Sequence, residues 1–92
     1  MSLTIDEYRC KLITKILFAQ SPDEVTRFID VAMKSLKDHK VNGYIITRFV
    51  TKTIHHLGEF SPIDHNAQQW TNIKLARKQF DYIRHQINVI AK

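Results

Sequence analysis

Apolar residues recur at steps of three and four in four stretches of this chain, and short polar joints separate them. The first stretch runs from Ile5 to Ala19. Ile5, Tyr8, Leu12, Ile16 and Ala19 form its stripe, which Ile13 and Leu17 widen. Thr4 followed by Glu7 has capping-box spacing, in which side-chain oxygens satisfy the orphan N–H groups of a first turn. The second stretch opens on Ser21-Pro22-Asp23-Glu24, a cap, a proline at the first helical position, and acids at the positive end of the dipole. Val25, Phe28, Ile29, Ala32, Met33 and Leu36 then share one face. Lys37, His39 and Lys40 precede Asn42-Gly43, which reads as a C-terminal cap with cations in the last turn.

The third stretch, Tyr44 to Leu57, is rich in β-branched residues, and Asn42-Gly43 before it is also a hairpin signal. Strict alternation fails, however. The pairs Ile45-Ile46, Phe49-Val50 and Thr53-Ile54, then Leu57, step by four or three, and the segment before the turn is a poor strand. The pattern predicts a helix, with Gly58 just past its end. The fourth stretch begins near Ser61-Pro62 with a short turn and becomes a long helix from Asn66 to Ala91. Ile73, Ala76, Phe80, Ile83, Ile87 and Ile90 make a sustained heptad seam. Leu75, Tyr82 and Val89 make a second line at sevens.

The expectation is an all-α, single-domain chain over residues 1–92, an antiparallel four-helix bundle with a long C-terminal helix. That last helix would be about 39 Å long against roughly 24 Å for the others, so part of it overhangs. Composition agrees: two glycines and two prolines are too few for a turn-rich β fold, and 43% apolar residues argue against disorder. The single Cys10 excludes an internal disulfide and a cysteine-based zinc site. The longest apolar run is Ile16-Leu17-Phe18-Ala19, far short of the roughly 18 residues of a membrane span. The acidic N-terminal residues have no apolar stretch of signal type, and the expected location is cytoplasmic, with Cys10 reduced.

Charge and the second apolar line supply the candidate surfaces. Leu75, Tyr82 and Val89 either merge with the seam inside the monomer or receive a partner helix, a homodimer being the simplest version. The net charge of +5 is uneven: residues 1–42 carry seven basic and six acidic side chains, residues 43–92 seven and three. Lys74, Arg77, Lys78 and Arg84 stand with Asp81 away from the seam, and Arg48 and Lys52 lie in a segment without acid. Such a stripe is either a solvated helix face or a contact for phosphates or an acidic protein.

Enzyme and metal chemistry find less support. No phosphate loop and no nucleophile elbow is present. No two of His39, His55, His56, His65 and His85 have the i, i+4 spacing of helical metal ligands, so they read as surface or capping residues; no metal or other cofactor is expected. Cys10 reads as a small hydrophobe, Asp30 as a surface residue, and Trp70 as a plug at the bundle end with Phe60 and Ile63. The functional expectation is a non-enzymatic interaction or regulatory module that self-associates through Leu75, Tyr82 and Val89. The alternative is a nucleic-acid-associated protein using Lys74, Arg77, Lys78 and Arg84. A histidine-based metal or small-ligand site ranks last.

Overall fold

The structure, a computed structural model, describes residues 4–39 and 41–91, with side chains up to residue 87. Four helices follow in order: α1 (Ile5–Leu17), α2 (Pro22–Asp38), α3 (Gly43–Gly58) and α4 (Ala67–Ala91), with a single 3-10 turn over Pro62–Asp64 before α4. Among the described residues there is no strand, so the β-branched segment is helical as its apolar pairs require. None of these helices is long and apolar enough to cross a membrane.

The helix starts follow local chemistry. Thr4 Oγ1 accepts from the Glu7 N–H at 3.1 Å, and Ser21 Oγ accepts from the Glu24 N–H at 3.2 Å. Asn66 and Gln69 cap α4 reciprocally: Asn66 Oδ1 accepts from Gln69 N–H at 2.7 Å, and Gln69 Oε1 accepts from Asn66 N–H at 3.2 Å. Asn42-Gly43 corrects the sequence reading. It does not close α2, which ends at Asp38 with His39 as its cap; Asn42 is the N-cap of α3, its Oδ1 accepting from Tyr44 N–H at 2.7 Å, and Gly43 is the first helical residue. Gly58 likewise lies inside α3, with the right-handed Glu59 after it. Helix α1 stops at Leu17, two residues earlier than its apolar pattern suggests.

One cluster of buried side chains joins all four helices: Leu12 and Ile16, then Val25, Ile29 and Leu36, then Phe49, Val50 and Leu57, and finally Ile73, Ala76 and Phe80. Helices α1 and α4 each pack on the other three, whereas α2 and α3 are not a packed pair. The side-chain neighbours fit an up-down-up-down course. Lys15 of α1 lies over the Phe28 ring of α2, Gln79 of α4 bonds Asp30 of α2, and Asn72 near the start of α4 bonds the end of α1. All four sides of the bundle, α1–α2, α2–α4, α4–α3 and α3–α1, are thus packed and α1–α4 forms the short diagonal, which leaves α2 and α3 apart with an open edge between them over the end of α4.

Asn72 is fully buried in this core. Its Nδ2 donates to Ala19 O at 2.8 Å and to Leu17 O at 3.4 Å, carbonyls left free where α1 ends. Its Oδ1 has no partner, so the amide is oriented by the two carbonyls alone. The bundle end nearby differs from the expected plug. Phe60 and Trp70 pack on the core, but Ile63 is 91% exposed. The 3-10 turn carries Ile63 outward, and the His65 ring stands edge-on to Phe60 instead, at 5.0 Å.

Two stability predictions result. Asn72→Ala removes the donor for two buried-end carbonyls and should lower unfolding free energy by about 2–3 kcal/mol in urea titration. Gly58→Ala adds a Cβ that meets nothing within 4 Å. It should stabilise the protein by about 0.5 kcal/mol, a rise of a few degrees in Tm.

Candidate functional site

The open edge is a groove of about 990 Å³. Met33, Lys34 and Lys37 of α2 form one wall, Tyr44, Ile46 and Thr47 of α3 the other, and Tyr82, Ile83, Gln86 and Ile87 of α4 the floor. The volume lies at the upper end of the roughly 300–1,000 Å³ of ligand clefts. The groove lies where the later turns of the 25-residue α4 run between the end of α2 and the start of α3. Its seam is fully buried at Ile73, Ala76 and Phe80, and only half-buried at Ile83 and Ile87. Ile90, next on the seam, lies outside the described side chains. Two aromatic rings flank the gap: Tyr44 is 70% exposed and Tyr82 65%. On this flank α4 carries no charge between Gln79 and Ile87 (Gln79, Tyr82, Ile83 and Gln86 line it), and Asp30 on the α2 rim is bonded by Gln79 Nε2 at 3.1 Å.

The line Leu75–Tyr82–Val89 therefore divides. Leu75 is half-buried and packs on the chain's own core, so it belongs to the monomer. Tyr82 projects into the groove. Val89 falls outside the described side chains. Sequence reasoning missed the α2 and α3 contributors, above all Met33 and Tyr44. Their role depends on α2 and α3 failing to pack on each other, which no local pattern encodes.

The four basic residues of α4 come together on its opposite flank. Lys74, Arg77, Lys78 and Arg84 line a shallow furrow of about 410 Å³ beside α3, with Asp81 and the half-buried Ile54. Asp81 is taken by Arg84, an i, i+3 ion pair. Across α3, a second furrow of about 230 Å³ against α1 is lined by Arg9, Arg48 and Lys52 together with Asp6. Arg9 is spoken for: its Nη2 pairs with Asp6 at 3.4 Å and its Nη1 donates to Lys52 O at 3.5 Å.

The histidines do not converge. His39, His65 and His85 each place Nδ1 at hydrogen-bond distance of a carbonyl four residues back, in Ser35, Ser61 and Asp81 respectively. His55 pairs with Glu59 at 3.2 Å, and His56 stacks obliquely on Phe60 at 5.3 Å. Among the described residues no three His, Cys, Asp or Glu side chains are placed to hold a metal ion. Cys10 is a free cysteine exposed on α1.

No protein-family model matches this chain, and no curated protein or solved structure matches it either.

The division of the Leu75–Tyr82 line has a measurable consequence. Leu75→Ala should lower stability by about 1–2 kcal/mol through lost burial, whereas Tyr82→Ala should change it by less than about 0.5 kcal/mol. Urea unfolding at low micromolar concentration checks both.

Proposed function

We propose that the protein is a non-enzymatic helical interaction module that self-associates through the open α2–α3 edge, with Tyr82 of α4 at the centre of the contact. The observation that carries this reading is the half-buried seam. Ile83 and Ile87 continue the heptad line of Ile73, Ala76 and Phe80, pack on the core on one side and line the groove on the other, and Tyr44 and Tyr82 stand exposed beside them. A seam of this kind is completed by one more helix at the same spacing.

A second copy supplies that helix with no charge from α4 in the contact, and Lys34 and Lys37 of the α2 wall are exposed at its rim. The groove flank of α4 is neutral, while its cations lie on the other flank, so two α4 helices related by a twofold axis approach through glutamine, tyrosine and isoleucine side chains. Rings such as Tyr44 and Tyr82 add large contact area at low entropic cost.

Light scattering at high micromolar concentration should give about twice the 10.8 kDa chain mass. Tyr82→Glu should return it to the monomer value with the helical circular dichroism unchanged, because the side chain is exposed in the single chain. A wild-type protein that stays monomeric across that range overturns self-association.

A further inference from the structure

We infer that the flank of α4 facing away from the groove, together with the outer side of α3, binds the phosphates of double-stranded nucleic acid. The inference does not rest on self-association, which uses the other flank.

Two acids on this side are held by arginines, Asp6 by Arg9 and Asp81 by Arg84, while Glu59 at the end of α3 lies 3.2 Å from His55 Nε2. Among the described residues, Arg48, Lys52, Lys74, Arg77 and Lys78 form no ion pair, and all five are exposed. Three of the five lie on α4, where Lys74 to Lys78 rise about 6 Å along one face of a rigid helix. Duplex DNA presents one phosphate per about 1.7 Å, roughly three or four over that length. Such a charge density matches the row without any particular sequence of bases. The two furrows that flank α3 are both cationic, and a duplex is wide enough to reach across that helix.

Other polyanions fit less well. A lipid surface is held by apolar side chains that insert below the headgroups; the furrow beside α4 offers only the half-buried Ile54, and in the furrow against α1 Ile45 alone of the apolar residues is exposed. A single strand is held by aromatic platforms for its bases, and the one aromatic ring lining either furrow, Phe49, is buried. An acidic protein would need several carboxylates in one row to match what the duplex presents everywhere.

The test is fluorescence anisotropy of a labelled 20-base-pair DNA between 50 and 200 mM NaCl. Five phosphate contacts at about 0.9 each predict a log–log slope near −4.5, a loss of affinity of about 500-fold over that range. The triple variant Lys74→Ala/Arg77→Ala/Lys78→Ala should flatten the slope to about −1.8. The matched triple Lys11→Ala/Lys15→Ala/Arg27→Ala removes the same net charge on the α1–α2 side, away from both surfaces, and should leave the slope close to that of the wild type. Absence of binding at 50 mM NaCl, equal losses in the two triples, tighter binding of a single strand of the same length, or binding of phosphatidylserine vesicles without binding of the duplex each overturns the inference.

Discussion

The amide of Asn72 fixes where α1 stops and how α4 lies against it. Helix α1 ends with carbonyls that its own turn cannot use, and the joint to α2 buries Ala19. An apolar residue at position 72 would leave those carbonyls dry and unpaired, a loss comparable to a full hydrogen bond each. Nδ2 reaches two of them across 53 to 55 positions of sequence. Once that end is pinned, the one-residue step from Asn72 to Ile73 sets the rotation of α4, and with it every later position. Ile73, Ala76 and Phe80 turn inward, Tyr82 turns to the α2–α3 side, and Lys74, Arg77 and Lys78 turn to the other.

From this rotation comes a helix with three distinct sides. The seam belongs to the monomer for its first half and is half-covered for its second. The groove flank is neutral and apolar, and the far flank is cationic. Segregation of charge from the apolar flank matters physically. A lysine on the groove flank would have to be desolvated by any partner, and a tyrosine among the cations would shield phosphates from them. The two surfaces share one helix with Lys78 and Tyr82, four residues apart, at the boundary between them.

Much of this was legible in the chain. The four helices, the Thr4 and Ser21 caps and the core faces of α1 and α2 followed from spacing and cap chemistry, which are local. Asn42-Gly43 was misread because asparagine serves either helix end, and only the next residues decide. Tyr44 N–H lies within reach of Asn42 Oδ1, and α2 had already stopped at Asp38. Asn72 gave no signal, since a single polar residue beside an apolar stripe is ordinary and its partners lie more than fifty residues away. The helical period fixes the direction of Tyr82 and of the α4 cations on their helix. Which of the two readings open for Leu75 applies depends on neighbours from other helices, and it packs on the chain's own core.

The open edge itself follows from the order of packing. Helices α1 and α4 pack on each other and on both remaining helices, so they stand between α2 and α3 and hold them apart. Lys34 and Lys37 are exposed at the α2 rim, and on the α3 side Gly43 offers no side chain while Thr47 turns its hydroxyl onto the Gly43 carbonyl at 2.9 Å. Half-buried Ile83 and Ile87 line the floor between these rims. The packed diagonal thus leaves a seat between the two helices that flank it. A partner can fill it by covering the floor and leaving the two ammonium groups in water.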